Sequence, residues 1–151
     1  MATIESDLRT FLEADGTLTG ILTGGIYDAS ELDQNLLTPS TPGLYTSATV
    51  PKLKPCLLIR WAEKNPSEVV DKSRRQFVNF FVYEHRGYAN INAAIGRLFD
   101  ILNRKKVTVT NGSTRRAHQF HWDGDAGEYV AEELNGAAAN RSTYYVDFTR
   151  R

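Results

Sequence analysis

The chain has 151 residues, with eighteen basic and eighteen acidic side chains, three histidines and one cysteine. That length suits one α+β domain over residues 1–151, since a chain of this size buries roughly 68–70% of the surface it exposes when unfolded. Formal neutrality excludes a global field that would draw the protein onto nucleic acid or an anionic membrane; one cysteine excludes an intrachain disulfide, and no run approaches the roughly 20 apolar residues of a membrane span.

Ile4, Leu8, Phe11 and Leu12 recur at helical spacing after Thr3, a fitting N-cap, and predict an amphipathic helix ending near Ala14. Asp15-Gly16 breaks it, and Leu18, Ile21 and Leu22 add one more helical turn. Gly24-Gly25 then supplies the positive φ angles that turn the chain into a strand at Ile26-Tyr27. Residues 30–54 hold or lead to Pro39, Pro42, Pro51 and Pro55 among many Thr and Ser, and read as a long arm. Its Leu36, Leu37, Leu44 and Tyr45 are too apolar for a segment left in water, so they are expected to pack on a neighbouring subunit.

Residues 56–61 form a continuous apolar run, with Cys56 as a buried structural thiol, and 75–83 are rich in Phe, Val and Tyr on both faces. Both are predicted as central strands of one wide hairpin, with Val69 and Val70 tucked inward at its tip. Tyr88, Ile91, Ile95, Leu98, Phe99 and Leu102 fall on one face of a helix over 89–103, opposite Asn90, Asn92, Arg97 and Asp100. Val107 and Val109 mark a short strand, Asn111-Gly112 a turn, 117–122 another strand and 123–127 another turn. A half-buried strand closes the chain, with Tyr144, Val146 and Phe148 alternating against Thr143, Tyr145 and Asp147. The fold class is therefore α+β: an antiparallel or mixed sheet with an N-terminal helix and one long amphipathic helix packed on it.

The densest group of candidate ligands is His118, His121, Asp123 and Asp125. Strand residues three apart point to opposite faces, so His118 and His121 do not share an ion, and no metal or cofactor is expected. Glu128, Glu132 and Glu133 carry no spacing specific to acid–base catalysis. Nucleophile-elbow and phosphate-loop motifs are missing from the sequence, and the expectation is a protein that is not an enzyme. The basic pairs Arg74-Arg75, Lys105-Lys106 and Arg115-Arg116 stand at strand edges. Arg74, Arg75, Arg115 and Arg116 are candidates for a DNA path or an interface, against the plainer reading of solubilising, edge-protecting charge.

Residues 8–15 (Leu-Arg-Thr-Phe-Leu-Glu-Ala-Asp), then 18–22 and Gly24-Gly25-Ile26-Tyr27-Asp28, resemble the opening of tail terminator proteins, also called tail completion proteins, of long-tailed bacteriophages. Glu132-Glu133-Leu134-Asn135-Gly136 and the run 141–146 resemble their closing strand and the turn before it; the arm at 30–54 is longer than that family's pattern. The resemblance implies a virion protein, assembled in the host cytoplasm, forming a ring of commonly six copies at the head-proximal end of the tail. Such a ring halts growth of the tail tube and docks the head connector. The implied partners are further copies of the chain, the tube protein, the connector (stopper) protein and, non-specifically, passing DNA, with no membrane. The alternatives are a neck or head-closure protein and, from another class, a cytoplasmic binding module or small enzyme using the 118–125 region.

Overall fold

The computed structural model describes the backbone of residues 4–28, 52–66, 73–85, 87–111, 114–131 and 136–149. The chain opens with α1 (Ile4–Glu13) and α2 (Gly16–Ile21), joined at Asp15. Asp15 does not merely break the first helix; it caps the second, its Oδ2 accepting the Leu18 backbone N–H at 3.0 Å. Leu8, Leu12, Leu18 and Leu22 from this pair are all buried. Gly24 and Gly25 then serve different needs. Gly25 has φ +102°, whereas a Cβ on Gly24 would sit 2.9 Å from the Pro55 carbonyl oxygen, so the backbones approach there only without a side chain.

β1 (Gly25–Asp28) lies parallel to β2 (Cys56–Pro66), in register from Gly25 with Cys56 to Asp28 with Ile59. The predicted hairpin is present: β2 runs antiparallel to β3 (Ser73–Glu84), from Cys56 opposite Tyr83 to Pro66 opposite Arg74, with an irregularity between Trp61 and Lys64. Its tip, with Val69 and Val70, lies outside the described residues. α3 (Ala89–Leu102) follows, then β4 (Lys106–Asn111), β5 (Thr114–Asp125), β6 (Tyr129–Ala131) and β7 (Ala137–Thr149). The sheet order is β1-β2-β3-β7-β5-β4, with β6 also on β7, and the sheet is mixed because β1 and β2 run parallel while the other described strand pairs are antiparallel. The class is α+β, as expected.

Two details depart from expectation. The segment 123–127 does not reverse the chain: β5 and β6 run the same way along β7, and Ala126–Glu128 forms an extra-residue excursion between Asp125 opposite Ser142 and Tyr129 opposite Ala139. Gly124 (φ +144°) and Gly127 (φ +86°) supply the irregular backbone, so the Asp-Gly signal marks bulges instead of a turn. The closing strand alternates as expected, with Tyr144 and Val146 buried against half-buried Thr143 and Tyr145, and it lies inside the sheet, covered along one edge by β3 and along the other by β5 and then β6. Finally, Phe99 does not join the helix's core face. Ile91, Ala94, Ile95, Leu98 and Leu102 of α3 are buried, while Phe99 is 42% exposed.

The two faces of the sheet differ in cover. The three described helices all contribute to a principal core with Leu57, Ile59, Val78, Phe80, Val82, Phe120, Tyr144 and Val146. On the opposite face Cys56, Tyr83, Ala137 and Ala139 join Leu53 and Ala131 of β6 in a second, smaller cluster, to which none of the described helices contributes. Among the described residues this second face has no helical cover. Leu53, expected within the arm, is 1% exposed and belongs to this cluster of its own chain, so the arm ends before it.

Candidate functional site

Of the sequence-predicted interface residues, Leu36, Leu37, Leu44 and Tyr45 lie outside the described residues. Arg74 and Arg75 stand near the start of β3, opposite Phe148 and Asp147 of β7; Arg115 and Arg116 stand near the start of β5, opposite Thr110 and Val109 of β4. Because β5 continues antiparallel to β7 from Phe120 opposite Val146, all four arginines occupy register positions toward the same end of the sheet. Sequence spacing of 40 residues could not have brought these pairs together; β7 inserting between β3 and β5 does so.

The 118–125 region is dispersed. His121 stacks on Tyr145 with ring centroids 5.1 Å apart, and Tyr145 in turn meets Phe77 at 5.9 Å. These three residues are directly opposite one another across β5, β7 and β3, forming an aromatic row on the helix-free face. His121 is thus a packing element of that face; the side chain of His118 lies outside the described residues. Trp122, one residue on, points to the helix-covered face but overhangs its edge and remains 45% exposed. Among the described residues no group of three or more His, Cys, Asp or Glu is arranged to hold a metal ion. Leu58, Phe81, Tyr27 and Tyr129 are half-buried around the second cluster, and Phe81 stacks nearly parallel on Tyr83.

Two hollows flank α2. One, of about 410 Å³, is lined by Thr23, Leu53, Lys52, Lys54, Glu84 and Asn90. Glu84 is buried there, with Oε1 accepting from Asn90 Nδ2 at 3.1 Å; below it, His85 Nδ1 accepts the Leu53 backbone N–H at 2.6 Å. These bonds tie the returning chain at Leu53 to the end of β3 and account for the buried acid structurally. Cys56 donates its thiol to the Tyr83 carbonyl at 3.8 Å, and burial pushes its pKa up to about 12, the opposite of what a nucleophile needs.

The second hollow is an open groove of about 650 Å³ between α2, α3 and the end of β5. Phe99 and Trp122 meet edge to face at 5.8 Å on its rim, with Ile21 and Ala93 beside them. Trp122 is fixed by its indole N–H donating to Asp125 Oδ1 at 3.1 Å and by its backbone N–H donating to Asn103 Oδ1 at 3.0 Å. Arg97 reaches across to Asp15 with two hydrogen bonds of 2.8 and 2.9 Å, which hold the Asp15 carboxyl below its usual range. Behind the groove Tyr144 is wholly buried, and burial raises its phenol well above the usual value. Sequence reasoning missed this site because Asp15, Arg97 and Trp122 are far apart in the chain. The legible signal was an aromatic on the border of the apolar stripe of α3, Phe99.

Compared with known proteins, the chain matches no family model and no curated protein.

Proposed function

We propose that the chain is a structural virion subunit of the tail-terminator type. It forms a ring, commonly of six copies, on the head-proximal end of a phage tail tube, ends tube growth and offers its other surface to the head connector. In this reading its work is done by surfaces, with no cofactor and no catalytic step, and its contacts with passing DNA are non-specific.

The observation that supports the reading is the helix-free sheet face. Leu58, Phe77, Phe81, Tyr145 and His121 form a half-buried, largely aromatic surface on which none of the described helices packs. A surface of that composition is what an assembling subunit covers with protein, since aromatic residues are enriched at interfaces and carry much of their energy.

The test is to add the purified protein to polymerising tail-tube protein and image the products. It should bind one end, stop growth there and form no long tubes alone. Removing it from an infected cell should give tails of uncontrolled length that do not join heads. Tails of normal length with DNA leaking from heads would instead assign it to the neck.

A further inference from the structure

The helix-free face is not uniformly aromatic. Ile59 and Trp61 pack toward the principal core, so Arg60 between them stands on the other face, opposite Asn79 of β3, which lies opposite Thr143 of β7. Two residues further along β3, Phe81 lies opposite Arg141, which is held on the same face between buried Asn140 and Ser142. Both arginines are exposed, and among the described residues neither side chain has an ion pair or a hydrogen bond. The Thr143 hydroxyl donates to Asn79 Oδ1 at 2.7 Å, which leaves the Asn79 amide N–H groups as donors. Among the described side chains that β2, β3 and β7 place on this face there is no aspartate or glutamate.

This cationic strip runs through the aromatic field. Phe81 stands on one side of it and Phe77 with Tyr145 and His121 on the other, four residues or about 13 Å apart along β3. A protein that covers the rings therefore covers Arg60 and Arg141 too. Enclosing a guanidinium without a partner costs several kcal/mol, so whatever covers this face must answer the charge. The rings also distinguish kinds of partner. Phe81 lies nearly parallel on Tyr83, and His121 on Tyr145, so these rings spend their flat faces on one another. A nucleic-acid base needs a free ring face to stack on, whereas a protein surface needs only a close-packed apolar one.

We infer that the surface covering the helix-free face belongs to a protein partner that brings carboxylates to Arg60 and Arg141. The inference rests on the assembly reading and names the chemistry of the surface it docks. The two arginines are two strands apart and two residues apart along the strand direction, about 12 Å between backbones, and the partner's carboxylates have a comparable spacing. Paired with guanidinium groups, they give a contact that weakens as salt rises.

The test uses the full-length protein, alone and mixed with tail-tube protein, in sedimentation velocity over a salt series. Arg60→Gln with Arg141→Gln should weaken assembly by about tenfold or more, and Arg60→Glu with Arg141→Glu should weaken it further. Arg60→Lys with Arg141→Lys should retain most of it, and the differences should shrink as salt rises. A role in shape alone would move the Lys and Gln variants together. Circular dichroism and the unfolding midpoint should match the wild type in every variant, because both side chains are exposed in the single chain. A photo-crosslinking residue placed at Thr143, beside both arginines, should link in the assembly to a peptide that carries aspartate or glutamate. Equal assembly by all variants overturns the inference and leaves the ring reading standing. Binding of a fluorescent thymidine oligonucleotide that the Gln variant loses would reassign the face to nucleic acid and overturn it as well. A wild-type chain that never assembles, alone or with tube protein, overturns both readings.

Discussion

Leu98 and Phe99 are neighbours on α3 with opposite fates, and exchanging each for alanine tests the packing of the helix. Leu98 is wholly buried in the principal core, whereas Phe99 is 42% exposed on the groove rim. Leu98→Ala removes three carbons, worth about 2.4 kcal/mol at ~0.8 kcal/mol each. The cavity left in a core shared with the sheet raises this to about 3–4 kcal/mol. Phe99→Ala removes more carbon, but much of it is already in water. The main loss is the edge-to-face contact with Trp122, about 0.5–1.5 kcal/mol, partly offset by the better helix propensity of alanine, roughly 0.5 kcal/mol. The net cost should be about 1 kcal/mol or less. In thermal unfolding at low protein concentration, where assembly adds nothing, Leu98→Ala should lower Tm by roughly 6–15 °C and Phe99→Ala by no more than about 4 °C. Equal losses would refute the placement of Phe99 outside the core and, with it, the groove as a surface.

Gly24→Ala should cost about 1–3 kcal/mol in urea unfolding, because its Cβ would lie 2.9 Å from the Pro55 carbonyl oxygen that the Gly24 N–H already bonds at 2.8 Å. Gly20→Ala, at an exposed position of α2 with nothing within 4 Å, should instead stabilise by up to about 1 kcal/mol. The Cys56 thiol, pushed up to about 12 by burial, should resist alkylation at pH 8 in the folded protein and react fully once unfolded. Its sign in pH-dependent stability follows: between about pH 9 and 12 the unfolded thiol loses its proton while the folded one keeps it, so stability falls as pH rises. Urea midpoints across that range should show this part of the decline disappearing in Cys56→Ala, and an identical decline in both proteins would contradict the burial.

Most elements were legible because each carries its own period. The 3.6-residue spacing of Ile91, Ile95, Leu98 and Leu102 marks α3, and the alternation of Tyr144 and Val146 against Tyr145 marks β7. The bulged stretch was misread because Asp-Gly and Ala-Gly carry the same local chemistry whether the chain reverses or only skips a residue against its partner. Phe99 was misplaced for a related reason. The apolar stripe of a helix is wider than the core it meets, and the helix alone does not say where the neighbouring surface ends.

The groove lay further from view. Asp15 and Arg97 are 82 residues apart, and nothing in either neighbourhood names the other. The four arginines were visible as pairs, but their common end of the sheet was not. By itself the sequence determined the α+β class, the helices, the paired strands 56–61 and 75–83 and, apart from Phe99, the apolar faces of α3 and of the closing strand, because those follow from the local geometry of a helix or a strand. Only the tertiary structure decided that β7 lies between β3 and β5, that the described helices cover one face alone, and that Trp122 comes to rest beside Phe99 and two aspartates. Those outcomes depend on which surfaces meet across long separations, and a residue pattern records that a surface is apolar or charged without recording its partner.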